Sequence, residues 1–132
     1  MIIETLAGII TAASTGVTAV YSVVRFNKKL QKEKLDKKRL LEDLISLENS
    51  IQKINDYRVF QVDKDDIITQ LCFVLSYKDY LSNEEFILLQ RIMTEFEQIN
   101  VHNYAYSLKP ALRKAYEKID SMIKKRKKVI SL

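Results

Sequence analysis

Between Gly16 and Pro110 the sequence contains neither a glycine nor a proline. Lacking the two residues that most readily end a helix, so long a stretch is most economically read as helices joined by short connections. From Val23 onward the apolar positions alternate in threes and fours, through Val23, Phe26, Leu30, Leu40, Leu44, Leu47, Ile51 and Ile54. This spacing is one face of a helix sustained over many turns. The register passes Glu33 and Lys37 without slipping, so residues 31–39 are expected to continue the helix as a charged, solvated stalk, with Asn27 the place for any bend.

Ile67, Leu71, Val74 and Leu75 predict a second helix from about Asp65 to Leu81. Ser82 and Glu85 have the spacing of a capping box, which dates the start of the next helix. That helix carries Phe86, Leu89, Met93 and Phe96 on one side, with Ile92 and Ile99 alongside. The last seam runs Val101, Ala105, Leu108, Leu112, Ala115, Ile119 and Met122. Pro110 lies within it and either kinks the helix, breaks it briefly, or marks its start near Lys109. Residues 55–66 lose the helical period and read as the first clear turn, with Asp63 as the cap of the helix that follows. The DKDD stretch lacks the glycine and the distal bidentate acid of a calcium loop, so a metal there is disfavoured. The expected fold is all-α: an antiparallel four-helix bundle preceded by a hydrophobic N-terminal helix, four to five helices in all, divided as residues 1–26 and 27–132.

The segment Thr5 to Val24 is twenty residues without a charge. As a helix it spans about 30 Å, the thickness of a bilayer's hydrocarbon core. Its four Thr, two Ser, two Gly and four Ala make it less apolar than a Leu-rich anchor, so insertion is expected to be marginal. Gly8, Ala12, Gly16 and Ala19 form a stripe of small residues, whereas Leu6, Ile10, Val17 and Val20 lie largely elsewhere. Small residues at this spacing allow close approach of two helix backbones, in a membrane or in a soluble bundle. An acid in the opening MIIE and the absence of a small-x-small site argue against a cleaved signal peptide.

Charge is distributed unevenly: residues 25–39 carry eight Lys or Arg against two acids, 109–128 carry nine against two, and 40–108 carry five against twelve. In an up-and-down bundle the two basic blocks are expected to converge at one end, beneath the hydrophobic segment. Arg25, Lys28, Lys29 and Lys32 in the first block, and Lys124, Lys125, Arg126, Lys127 and Lys128 in the second, are then candidates for contact with anionic lipid. Neither block shows the interleaved aromatics or reading helix of a nucleic-acid interface, which disfavours that partner.

Catalysis is not expected. His102 is the only histidine, so neither a multi-histidine metal site nor a histidine relay can form. Asn100, Asn103, Tyr104 and Tyr106 around it are expected to start a helix or to line a pocket. Glu84 with Glu85, and Glu95 with Glu97, fall on exposed helix surface, and no phosphate loop or nucleophile is evident. No cofactor is implied. The single Cys72 excludes an internal disulfide, fits a reducing compartment and is expected to be a small core residue.

The opening MIIETLAGIITAASTGVTAV, with one early acid, leads into a Leu-rich amphipathic helix. Over residues 1–54 this pattern resembles the start of HeLo-like and related cell-death four-helix bundles. The resemblance implies a bundle whose first helix is released on activation and permeabilises membrane as an oligomer. Thr5 to Val24 would then be the inserting helix and Glu4 its early acid. The functional expectation is a non-enzymatic, membrane-associated bundle that forms homo-oligomers and holds anionic lipid from the cytoplasmic side. The alternative is a soluble interaction module whose first helix is core and whose basic ends bind an acidic protein partner or nucleic acid.

Overall fold

Four α-helices account for nearly all of residues 14–130, which the structure, a computed structural model, describes. They are α1 (Ser14–Gln52), α2 (Tyr57–Leu75), α3 (Asn83–Gln98) and α4 (Tyr104–Ile130), with one 3-10 turn at Lys78–Tyr80 between α2 and α3. No strand occurs among the described residues. The fold is the all-α bundle that the uninterrupted helical spacing predicts.

The chain divides into two compact units, 1–37 and 38–132, and the division falls within α1. Glu33 and Lys37 occupy the apolar face just before it, and continuous burial begins only at Leu40. Of the first unit, the described part is α1 from Ser14 onward, running through Asn27 without interruption. Leu6, Gly8, Ile10 and Ala12 lie outside the described residues, and of Gly16, Val17, Ala19 and Val20 only the helical backbone is described. Among the described residues no helix is long and apolar enough to cross a membrane.

The second unit holds one core. Leu40, Leu44, Leu47 and Ile51 from α1 meet Phe60, Ile67, Leu71 and Val74 from α2 and Leu89, Ile92 and Phe96 from α3. Leu108, Ala111, Ala115, Ile119, Met122 and Ile123 of α4 complete it. Polar pairs fix the directions. Glu85 and Glu95 of α3 meet Arg126 and Lys114 of α4, and Gln52 Nε2 of α1 donates to the Tyr116 hydroxyl of α4 at 3.1 Å. Lys64 with the Glu97 carbonyl and Cys72 with Met93 set α2 against α3 in the same way, and Glu48 beside Asp120 with Gln52 beside Tyr116 sets α1 against α4, so successive helices run antiparallel.

Several expectations about the chain are corrected. Helix α2 begins at Tyr57, not near Asp65, and its cap is Asp56, whose Oδ1 accepts from the Val59 N–H at 2.9 Å, in place of Asp63. Phe60 lies seven positions before Ile67 and so already belongs to the buried face, whereas the exposed Val62 created a false alternation. The DKDD residues are accordingly helix, not loop. Helix α2 also ends earlier, at Leu75, because the chain tightens into the 3-10 turn before Ser82.

The last helix begins at Tyr104 and continues through Pro110, which removes the reading of a start near Lys109. Val101 is exposed in the preceding turn and Ala105 is exposed on the helix, so the seam proper starts at Leu108. Cys72 is exposed, since Leu71 and Val74 take the inward positions beside it, and its Sγ lies 3.9 Å from Met93 Sδ.

Candidate functional site

Two basic surfaces follow from these helices, one in each unit. In the first unit, Val23, Phe26 and Leu30 are 42 %, 61 % and 40 % exposed, although they continue the phase of Leu40 and Leu44, which are 1 % and 0 % exposed. The same stripe is thus core in one unit and solvent-facing in the other. Lys28, Lys29 and Lys32 are exposed on this stretch, and Arg25 is exposed beside them. A helix with exposed apolar side chains set among cations has the composition of an interfacial helix.

In the second unit, the antiparallel register that pairs Gln52 with Tyr116 puts Lys38 and Arg39 at the same end of the bundle as the close of α4. Lys125, Lys127 and Lys128 are exposed there. Lys124 instead pairs with Asp120 one turn back, at 2.9 Å.

Arg126 does something different from its neighbours. Its Nη1 and Nη2 donate to Glu85 Oε2 and Oε1 at 2.7 and 2.9 Å, and Nη2 also donates to the Tyr80 carbonyl at 3.3 Å. Glu85 closes the capping box of α3 as well, accepting from the Ser82 N–H at 2.9 Å while the Glu85 N–H donates to Ser82 Oγ at 3.1 Å. The Glu85–Arg126 pair therefore joins the start of α3, the 3-10 turn and the end of α4. Burial alone would raise its pKa, but the Arg126 and Ser82 hydrogen bonds outweigh it and hold the group below the usual glutamate range. The side chains of Arg126 and Glu85 are only 16 % and 12 % exposed, so this arginine is a clamp, not one of the solvent-facing cations.

Next to this end, α1 and α4 face each other through a carboxyl pair. Burial, the hydrogen bond with Asp120 and that carboxylate's charge push Glu48 above the ordinary glutamate value of 4.5, with Lys127 and Lys124 opposing. Lys124, with a lesser contribution from Glu48, lowers Asp120. Glu48 Oε2 is buried with no hydrogen-bond partner. A carboxyl raised in the folded state stabilises below its unfolded pKa, and that stability is lost as pH rises through the folded value. Glu48→Gln, which imitates the protonated form, is expected to raise the melting temperature at pH 7. Near pH 4 the two proteins should melt together; a constant gap at both pH values would contradict the assignment.

The opposite end of the second unit is polar and aromatic. Asn100 and Asn103 build the turn into α4, with Asn103 Oδ1 accepting from the Asn100 N–H and Asn100 Oδ1 from the His102 N–H, each at 2.8 Å. Asn103 and Tyr106 line a cavity of about 400 Å³ with Glu95 and Lys114. On the other side of α4, Tyr104 lines a second cavity, of about 610 Å³. His102 lines neither cavity. Among the described residues no group of acids, cysteine and histidine could hold a metal ion.

Comparison with known proteins finds no matching family, no matching curated protein and no matching solved structure.

Proposed function

We propose that the chain is a non-enzymatic helical bundle that associates with anionic membrane surfaces and acts there as a homo-oligomer. The observation that carries this reading is the exposed seam Val23, Phe26 and Leu30 set among Lys28, Lys29 and Lys32. Apolar side chains on such a helix enter the headgroup boundary while the lysine stems carry their charge to the anionic surface. Thr5 to Val24 run into this seam at Val23 and would deepen the association by inserting. The exposed lysines at the end of α4 add a second point of attraction.

Sedimentation of the full chain with phosphatidylcholine vesicles, with and without about 30 % phosphatidylserine, tests this. Binding is expected only to the anionic vesicles and should weaken as salt shortens the range of the attraction. Lys28→Ala/Lys29→Ala/Lys32→Ala should lower the partition coefficient about a hundredfold at low salt, at about 1 kcal/mol per cation. Equal binding to both vesicles would move the attachment to Thr5–Val24 alone. Binding to neither would overturn the membrane reading and favour an acidic protein partner for the same cations.

A further inference from the structure

We propose that the groove between the α1–α2 connection and the first turns of α4 is a binding site for a planar aromatic anion. Its volume of about 610 Å³ suits a small molecule. Ile54 and Leu108 line it and are 6 % and 5 % exposed, giving the groove an apolar floor that belongs to the core.

The wall is a stack of rings. Tyr57 and Tyr104 lie 4.3 Å apart between centroids and 12° from parallel, and Phe60 lies 6.3 Å from Tyr57 at 27°. Tyr57 and Tyr104 both line the groove, whereas Phe60 lies in the core beside Tyr57. Tyr104, at the end of the stack, keeps 40 % exposure, so another aromatic ring can extend the series.

The rim supplies the charge. Lys109 and Arg113 both line the groove and are exposed. Four positions apart on a helix, they have Cβ atoms about 5–6 Å from each other, a spacing that lets two cations share one carboxylate, sulfonate or phosphate. Neither makes an ion pair among the described residues. The groove also holds one acid, Asp56, whose Oδ1 accepts from the Val59 N–H, so its two cations leave a net single positive charge at the rim. An aromatic body against Tyr104 with its anionic group between Lys109 and Arg113 uses every one of these features. The site is at the other end of the unit from Lys124–Lys128, and so it stands or falls separately from the membrane reading.

The test uses anilinonaphthalene sulfonate as the probe, titrated by fluorescence into the full chain without lipid, beside the uncharged phenylnaphthylamine. Lys109→Gln/Arg113→Gln is expected to weaken the sulfonate about tenfold and to leave the uncharged compound unchanged. Tyr104→Leu should weaken both, because it keeps apolar area but removes the ring. Lys125→Gln/Lys128→Gln should change neither. Helical circular dichroism of each variant confirms folding, and the Gln changes fall on exposed positions. The proposal is overturned if the sulfonate does not bind, if Lys109→Gln/Arg113→Gln leaves its affinity intact, or if the distant lysine pair matters as much.

Discussion

Arg126→Ala is expected to lower the free energy of unfolding by about 2–4 kcal/mol, whereas Lys125→Ala should change it by less than about 0.5 kcal/mol. Both residues belong to the same run of five cations, Lys124 to Lys128. Arg126 leaves a partner stranded: without its guanidinium the Glu85 carboxylate loses two charge-assisted bonds and the Tyr80 carbonyl loses a donor. Removing one member of a largely buried pair costs more than the pair's net worth, since the remaining charge is desolvated without compensation. Denaturant unfolding of the two variants is the measurement, and equal effects would refute the clamp. The depressed Glu85 pKa adds a pH signature. Its stabilisation is present above the ordinary glutamate value of 4.5 and is lost as pH falls through the folded value. Arg126→Ala should therefore cost less in acid than at neutral pH.

Phe96→Ala is expected to be at least as damaging, at about 3–5 kcal/mol, while Phe73→Ala costs under about 0.5 kcal/mol. Phe96 is 0 % exposed and its ring meets Phe60 nearly edge-on, with centroids 5.9 Å apart and planes at 76°. The two rings join α2 to α3 within the core. Truncating one removes its own burial and leaves a cavity that the neighbouring helices fill only in part. Phe73 is 60 % exposed on the outer side of α2 and has little burial to lose. Thermal or denaturant melts separate the two cases; similar losses would mean that Phe73 packs against something in solution.

The sequence displays the core of the second unit clearly because helical spacing and burial coincide there. Leu40, Leu44, Leu47 and Ile51 are all buried, and Ser82 with Glu85 forms the capping box its spacing announces. The misreadings have local causes. Asp56 was hidden as a cap by three later aspartates, Asp63, Asp65 and Asp66, each as suitable by residue type. Arg126 was hidden by its charge, although its position was readable: Ala115, Ile119, Met122 and Arg126 continue the inward alternation, and its four cationic neighbours do not. The groove lined by Tyr57, Tyr104, Lys109 and Arg113 carries no such signal, since it unites residues from distant parts of the chain through tertiary packing. The exposed Val23, Phe26 and Leu30 were legible as a seam, but period alone cannot distinguish a covered stripe from an uncovered one.

Pro110 sits inside α4 with the first cavity against its ring. A proline has no N–H, so the Tyr106 carbonyl, which an ordinary residue at position 110 would cap, loses its helical donor. The opening two turns of α4 are joined to the remainder by one link fewer than elsewhere in the helix. The stretch 104–110 is thereby tied to the rest of α4 less tightly than in an unbroken helix, which makes Pro110 an elastic joint. Tyr104 and Tyr106, which line the two cavities, stand on the compliant side of it, so the shapes of both can respond to a load that leaves the rest of the helix unmoved.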